Sequence, residues 1–397
     1  MNILSRPKGL HYNSGLLVAL FVSAISLPLA ANLAGRDGAD SGVENRQFAP
    51  LPRFDGSWPS AVGFGGQLRD WFSDHFGFRS TLVRWYGESR LFGLGVSPTT
   101  AVVKGKDGWF FYGDDEALSD YANTRLLTPQ EVERWRDAAV AARDWLKTQG
   151  IGYVVMIAPD KHVIYPEGMP SGVKPLGTVS RTDQVTAALR DAGVATIDVR
   201  PALFAAKSRE RLYQQTDTHW NDRGALIAYQ ALIEAVRSQL PAAPAPGVRG
   251  GSDPPLTPFN PLTREDFEAV SVEREGLDLA GMMGLTHVMR ETDLQLRPKR
   301  PRQAVVIQPR GVPLDYETGR IVATIPGSPL PHAVVFRDSF FSRLAPFVAE
   351  HFGRTVFVWQ NDFDPDVVLE ERPAIVIQEI VGRHLYTFLP TPELVPR

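Results

Sequence analysis

Tyr153-Val154-Val155-Met156-Ile157-Ala158 is an uninterrupted apolar run that ends at Pro159, and this stretch decides the fold class. A short run of this kind is typical of a strand buried on both faces of a parallel sheet. Upstream, Thr128-Pro129-Gln130-Glu131 combines an N-cap threonine, a proline at the first helical position and a capping glutamate. We therefore predict a helix from Thr128 to Gln149, followed directly by the buried strand.

The same alternation of helix and strand continues along the chain. Strands that alternate with helices predict an α/β fold in which a doubly wound parallel sheet carries helices on both faces. The predicted helices lie at 182–192, 224–240, near 341–352 and 365–371, and the predicted strands at 194–199, 333–336, 355–359 and 374–377.

Composition divides the remaining chain into segments. Residues 64–93 predict amphipathic helix, and residues 101–112 resemble a hairpin closed by Gly105-Lys106-Asp107-Gly108. Residues 241–261 are rich in proline and glycine and predict an exposed linker, while residues 262–331 predict a β-rich insertion. We expect a stalk at 36–63 and one α/β domain at 64–390, interrupted by the linker and insertion at 241–331.

The N-terminal segment predicts export. Residues 9–35 contain no Asp, Glu, Lys or Arg, and a helix of this length can cross a hydrocarbon core of about 30 Å. Arg6 and Lys8 precede the segment, which predicts a cytoplasmic tail at 1–13 and a single-pass anchor at 14–35. A cleaved signal peptide is the alternative. Either interpretation places the body of the protein outside the cytoplasm.

Composition excludes several classes of function. The chain has 397 residues, of which 43% are hydrophobic, so it can bury a large core. Its net charge of −3 argues against a nucleic-acid partner, which needs a basic face. It contains no cysteine, which excludes disulfides, cysteine nucleophiles and thiolate metal sites. It also lacks the glycine-rich fingerprints that bind nucleotides, and we predict no cofactor.

Two short motifs together supply the parts of an acyl-transfer site. Such chemistry needs a hydroxyl, an imidazole that takes its proton and a carboxylate that orients the imidazole. Asp217-Thr218-His219 places a carboxylate two residues before a histidine, and Ser339 follows the apolar run 333–336 and precedes a helix. Ligands of open parallel sheets bind beyond the carboxyl ends of strands. Ser339 is therefore the candidate nucleophile, His219 the base and Asp217 the orienting acid.

Each of these residues also has a structural interpretation. Ser339 could serve only to cap a helix, and His219 could be a buried structural histidine. Asp217 and His219 could be metal ligands, but a further histidine at helical spacing is missing, and we predict no metal. Trp220 could stack on a sugar ring, although packing in the core is favoured. The candidate substrate-binding residues beside the motifs and strand ends are Trp220, Asn221, Arg337 and Lys161.

At these positions the chain resembles the alginate O-acetyltransferase (AlgX/AlgJ) family of SGNH-hydrolase-like proteins. The resemblance extends over roughly residues 60–385 and departs from the Gly-Asp-Ser of ordinary SGNH proteins, since this chain has Arg337-Asp338-Ser339. The stretches that carry it are 216–221, 338–340, Asp74-His75-Phe76-Gly77-Phe78-Arg79, Val103 to Tyr112, Ala158-Pro159-Asp160-Lys161, Leu277-Asp278-Leu279-Ala280 and Met282-Met283.

The resemblance implies a serine, histidine and aspartate triad at Ser339, His219 and Asp217, with the Asp-x-His motif before the serine, the reverse of the usual order. It implies an SGNH-like fold, a periplasmic catalytic domain at the inner membrane and a polysaccharide as acetyl acceptor. It also implies a membrane-bound O-acyltransferase that delivers the acetyl group, so that no soluble cofactor is needed.

Three functions compete on the sequence alone. The preferred one is an O-acetyltransferase that modifies an exported polysaccharide through an acetyl-serine intermediate. The second is an acetyl esterase of the same fold, which uses water as the acceptor. The third is a non-catalytic glycan-binding scaffold subunit, in which Ser339 is only a helix cap.

Overall fold

The computed structural model describes residues 14–33, 48–54, 56–240, 260–307 and 319–391. The predicted tail at 1–13, most of the predicted linker (241–259) and residues 36–47 of the predicted stalk lie outside the described residues. The chain divides into two compact units, one formed by Met1–Thr99 with Ala280–Val288 and the other by Thr100–Leu279 with Met289–Arg397. The predicted domain boundaries stay a prediction.

The first unit is helical. Its elements are α1 (Ser14–Leu33), α2 (Trp58–Asp74), α3 (Arg79–Glu88) and a π-helical turn at Ser89–Gly93. The amphipathic helical stretch predicted over 64–93 is interrupted between Asp74 and Arg79, around Gly77, where the sequence predicts an interruption. Phe78, which precedes α3, has φ 64°, in the left-handed region that cannot continue a right-handed helix. This backbone reversal ends one helical segment and starts the next.

The segment predicted as a membrane anchor, 14–35, forms α1 over most of its length. Within the described residues, however, no helix combines the length and the apolar character that crossing a membrane requires. Membrane anchoring stays a prediction from the sequence.

The second unit contains the α/β elements. Its helices and strands are, in chain order, β1 (Val102–Lys104), β2 (Phe110–Tyr112), α4 (Ala117–Tyr121), α5 (Pro129–Thr148), β3 (Gly152–Ala158), α6 (Lys161–Ile164), α7 (Arg181–Asp191), β4 (Thr196–Asp198), α8 (Arg200–Lys207), α9 (Asp222–Gln239), β5 (Phe267–Glu275), α10 (Asp278–Met282), β6 (Arg290–Pro298), β7 (Val305–Ile307), β8 (Arg320–Thr324), β9 (His332–Arg337), α11 (Ala345–Val348), β10 (Arg354–Trp359), α12 (Pro365–Glu371), β11 (Ile375–Val381) and α13 (His384–Thr387). Of these, α10 continues past the unit boundary at Leu279.

The principal sheet has the strand order β4-β3-β11-β9-β10-β8-β7. The five strands from β4 to β10 are parallel, as predicted. β8 pairs antiparallel with β10, and β7 pairs antiparallel with β8, so the sheet is mixed at this edge. Part of the predicted insertion therefore extends the principal sheet, whereas β5 and β6 of the insertion pair with each other as an antiparallel ribbon. β1 and β2 form the predicted hairpin.

Helices cover both faces of this sheet. Side chains alternate across β3, so Val154 and Met156 pack into one core cluster with α9, whereas Tyr153 and Val155 pack into the other with α5 and α7. Burial on both faces explains why the strand reads as a continuous apolar run. The capping box predicted at Thr128 starts α5, with Glu131 reaching back to the Thr128 backbone N–H.

The helix predicted near 341–352 is in fact three short pieces. A 3₁₀ turn at Ser339–Arg343 leads into α11, and a second 3₁₀ turn at Ala349–His351 follows it. Pro346 lies in the first turn of α11 and lacks a backbone N–H to donate to the preceding turn. This proline separates the nucleophile turn from the following helix.

Candidate active site

Ser339 lies directly beyond the carboxyl end of β9, a central strand of the sheet between β10 and β11. It is not the helix cap. Asp338 is the N-cap of the 3₁₀ turn, because its Oδ1 accepts a hydrogen bond from the backbone N–H of Phe340 at 2.9 Å. The other oxygen, Oδ2, accepts from the N–H of Val381 at 2.8 Å. The neighbouring aspartate therefore performs the capping, which leaves the hydroxyl of Ser339 available.

His219 connects the two motifs. Its Nδ1 lies 2.8 Å from Asp217 Oδ1, and its Nε2 lies 2.8 Å from Ser339 Oγ. An ionised carboxylate only accepts hydrogen bonds, so Nδ1 is the protonated nitrogen and Nε2 accepts from the serine hydroxyl. About a quarter of the His219 side chain is exposed, at 24%, and Ser339 is half-buried. The three predicted catalytic residues are thus brought together, with the reacting atoms within reach of solvent.

The segment that carries Asp217 is held at many points. Glu291 Oε2 accepts from both the backbone N–H and the hydroxyl of Thr216, each at 2.8 Å. Asp278 Oδ1 accepts from the N–H of Thr218 at 2.8 Å. The N–H of His219 donates to Asp217 Oδ1 at 2.9 Å, so one carboxylate oxygen receives both the backbone and the ring of the same histidine.

The carboxylates and the imidazole shift each other's proton affinities. Burial acts to raise the pKa of Asp217, but the hydrogen bond and charge of His219 outweigh it and lower that pKa to about 2. Burial acts to lower the pKa of His219, yet Asp217 raises it above its ordinary value. Burial and the charge of Asp217 raise the pKa of Asp278 to about 6. As a result of these interactions, Asp217 is ionised and the imidazole of His219 is more basic than usual.

Trp220 and Asn221 have internal partners, which differs from the predicted contact with substrate. Trp220 is fully buried and its indole N–H donates to the carbonyl of Phe340 at 3.0 Å, so the favoured packing role is the one observed. Asn221 is fully buried and caps α9 by accepting from the N–H groups of Arg223 and Gly224. Both residues fix the entry into α9 just after His219.

Arg337 and Lys161 are also turned inward. Arg337 is 2% exposed, stacks 4.3 Å from the ring of Trp359 and donates to Ser342 Oγ at 3.0 Å. Lys161 is 2% exposed and donates to backbone carbonyls, the shortest at 2.5 Å from Asp217 O. In this conformation all four predicted substrate-binding side chains support the site from within.

The sequence motifs missed a second group of charged residues behind the nucleophile. His384 Nε2 lies 2.7 Å from Asp115 Oδ2, and its Nδ1 lies 3.7 Å from Asp338 Oδ2. Burial acts to raise the pKa of Asp338, but the neighbouring His384 and the charge of Arg383 outweigh burial and hold that pKa below its usual range. Glu379, fully buried on β11, accepts from the N–H of Asp338 at 3.1 Å, and burial raises its pKa well above normal. Asp115, Glu379 and His384 are far apart in the chain and belong to no short motif, so the sequence offers no pattern that would group them.

Asp278 is the other missed residue. It lies in the stretch 277–280 that carried part of the family resemblance, but nothing in its spacing pointed to His219. Its Oδ2 lies 3.8 Å from His219 Nδ1. Among the described residues, Asp217, His219 and Asp278 form a group that could hold a cation, because their ligand atoms lie within 4.8 Å of one another. The direct hydrogen bond of His219 to Asp217 already occupies Nδ1, which argues for the proton relay over a metal.

Comparison with known proteins finds relatives of part of this chain. Residues 102–252 match the profile of the SGNH hydrolase-like domain of the acetyltransferase AlgX. Over 138 residues the chain is 33% identical to the probable alginate O-acetylase AlgJ of Pseudomonas putida, covering 35% of this chain and 34% of that protein. Over these residues the chain is similar to the AlgX/AlgJ family, which is the resemblance that the motifs predicted. The match to this domain also supports an SGNH-like α/β fold.

More distant matches cover longer stretches. The AlgJ of Pseudomonas aeruginosa is 27% identical over 221 residues, 54% of each chain. Among solved structures, the O-acetyltransferase domain of Pseudomonas putida AlgJ aligns with TM-score 0.44 and 21% identity over 72% of this chain and 92% of its own. Bacillus cereus PatB1 aligns with TM-score 0.49 and 15% identity over 72% and 96%. The chain spans about a third of the length of the first curated relatives it matches.

The shifted pKa of His219 gives a direct test of the pair. In an NMR pH titration of the imidazole, we expect a midpoint above the ordinary 6.5 in the native protein and a lower midpoint in Asp217→Asn, because the stabilising charge is lost. Any stability that this shift contributes is present below pH 6.5 and is lost as pH rises through the higher, folded-state value.

Asp137→Asn is the matched control, since Asp137 is an exposed carboxylate on α5. It should leave the His219 titration unchanged. An equal midpoint in native protein and Asp217→Asn would show that the carboxylate does not act on the ring.

Proposed function

We propose that this protein is an O-acetyltransferase that modifies an exported polysaccharide through an acetyl-Ser339 intermediate. The observation that carries the proposal is the continuous relay from Ser339 Oγ through His219 to Asp217, with both links at 2.8 Å. This arrangement suits a serine activated by an adjacent base. The names of the curated relatives, probable alginate O-acetylases, favour an acetyl group and a polysaccharide such as alginate.

In the first half-reaction the serine is acetylated. His219 Nε2 takes the proton of Ser339 Oγ as the oxygen attacks the carbonyl carbon of an acetyl donor. The donor oxygen then leaves, taking the proton from Nε2, and the acetyl-serine ester remains. Asp217 keeps Nδ1 protonated and stabilises the transient imidazolium, without itself taking the proton.

In the second half-reaction the acetyl group moves to the acceptor. A polysaccharide hydroxyl gives its proton to Nε2 and attacks the acetyl-serine carbonyl. The Ser339 Oγ bond to the acetyl carbon breaks, and the serine recovers its proton from the imidazolium. The exposed fraction of His219 allows a polymer hydroxyl to reach the ring. No cofactor is required, and we propose a membrane-bound O-acyltransferase as the donor partner.

Removing any of the three groups tests the relay. We expect Ser339→Ala and His219→Ala to lower kcat by about 10³-fold or more, and Asp217→Asn to lower it by about 10²- to 10⁴-fold by favouring the wrong tautomer. The assay is acetyl release or transfer from an acetyl ester dye, together with a thermal melt to check folding.

Ser208→Ala, at an exposed serine after α8, is the control and should retain full activity. If Ser339→Ala retains activity in the assay and in glycan acetylation, the catalytic assignment of Ser339 is wrong.

The acceptor separates a transferase from an esterase, because both share the acylation step. We expect added acetyl-free oligomannuronate to draw the acetyl group from the ester dye, giving acetylated glycan at the expense of free acetate. Mass spectrometry of the glycan and titration of acetate measure the partition. Undiminished acetate with no acetylated glycan would favour the esterase.

We also propose that the catalytic unit works in the periplasm, held at the inner membrane. The uncharged segment 9–35 behind Arg6 and Lys8 supports this location. A reporter that is active only after export, fused after residue 391, should be active in cells. Activity equal to that of a cytoplasmic control fusion would contradict the location.

A further inference from the structure

Lys161 occupies an unusual position for a lysine. It is the first residue of α6, just beyond the carboxyl end of β3, and only 2% of it is exposed. Burying an ammonium group away from water is strongly unfavourable unless its hydrogen bonds are satisfied. Here three backbone carbonyls lie within hydrogen-bond distance of the ammonium, and they belong to one segment of the chain.

An ammonium group has three N–H donors. Those of Lys161 go to the carbonyl of Gln214 at 2.9 Å, of Gln215 at 3.1 Å and of Asp217 at 2.5 Å. The lysine thus gathers three peptide carbonyls within four residues. Because these carbonyls converge on one ammonium group, the segment bends around it. The bend ends at Asp217, whose side chain orients His219.

The opposite side of the segment is held by other groups. The carbonyl of Gln215 also accepts from the N–H of Phe110 at 3.0 Å, and the carbonyl of Thr216 accepts from the N–H of Leu279 at 3.0 Å. Arg211 binds the side chains of this segment, since it donates to Gln215 Oε1 at 3.0 Å and pairs with Glu291 at 2.9 Å. Lys161 is a cation that binds the segment's backbone carbonyls. A neutral side chain of the same length could fill the space but could not bind three carbonyls.

The charges around Lys161 have opposing effects. Burial lowers its pKa to about 7, whereas the carboxylates of Asp278, Asp217 and Glu291 favour the charged form and Arg211 opposes it. The aromatic rings of Trp109 and Phe111 lie 5.6 and 5.4 Å from Nζ and also favour a cation.

We propose that Lys161 is a positioning residue for the Asp217–His219 pair: its buried ammonium holds the carbonyls of Gln214, Gln215 and Asp217 so that the Asp217 carboxylate faces the imidazole. The proposal rests on the proposed function, because it concerns the geometry of the same relay. Lys161 itself does not contact the acceptor or the acetyl group.

The absence of cysteine from the chain allows an experiment on the ammonium alone. Lys161→Cys introduces a single thiol, which is alkylated in denaturant and refolded. Bromoethylamine restores a side chain of lysine length with its ammonium, and bromopropane gives a side chain of the same length without it. Native protein taken through the same treatment and a thermal melt of each form control for refolding.

We expect the aminoethylated protein to recover most of the native kcat toward an acetyl ester dye. The propylated protein should be about 10²-fold lower in kcat with KM changed by less than about 3-fold, because misplacement of a catalytic pair by about 1 Å costs this much. In the Asp217→Asn background the two alkylated forms should differ by less than about 3-fold, since groups that act through one another are not additive.

Equal kcat for the two folded, alkylated forms would overturn the proposal, and so would an undiminished difference in the Asp217→Asn background. If the propylated form fails to fold, Lys161→Met takes its place in the comparison. Loss of the relay assignment itself would appear separately, as unchanged activity in Ser339→Ala.

Discussion

One hydrogen bond, from the Ser339 hydroxyl to His219 Nε2, joins two segments that lie 120 residues apart in the chain. It depends on the strand order, because β9 lies at the centre of the sheet and delivers Ser339 to its carboxyl edge. It also depends on the turn before α9, which presents the imidazole to that edge. The proposed acyl transfer by Ser339 depends on this contact.

The turn before α9 is built by close packing as well as by hydrogen bonds. A side chain in place of Gly224 would bring its Cβ to 2.4 Å from the carbonyl of Leu212 and 2.9 Å from Trp220 Cβ. Glycine at this position lets the first turn of α9 approach the strand-like segment, where Tyr213 and Trp220 form an isolated antiparallel bridge. The buried indole of Trp220 then bonds the residue after the nucleophile, Phe340, and so ties the two motifs together a second time.

The site concentrates charge where water is scarce. Asp217 and Asp278 both lie near one ring nitrogen of His219. The buried Lys161 binds the Asp217 carbonyl, and the buried Glu379 accepts from the N–H of Asp338, the residue before the serine. Groups of this kind rarely stabilise a fold, because their desolvation offsets their attraction. Their hydrogen bonds instead restrict the orientation of each group, which is what a proton relay requires. The residues beside the motifs serve this restriction, which explains why Trp220, Asn221, Arg337 and Lys161 are internal.

The α/β class, most helix and strand positions and the family resemblance could be predicted from the sequence, because periodicity, caps and short motifs are local properties. The sequence also singled out Asp217, His219 and Ser339, whose residue types and neighbours suit acyl transfer. Folding in three dimensions was needed to show that Asp338 rather than Ser339 caps the turn, and that β7 and β8 join the sheet antiparallel. It was also needed to place Asp278 beside His219 and Glu379 beside Asp338. Hydrogen-bond partners and burial depend on segments far apart in the chain, and no local pattern records which of them meet.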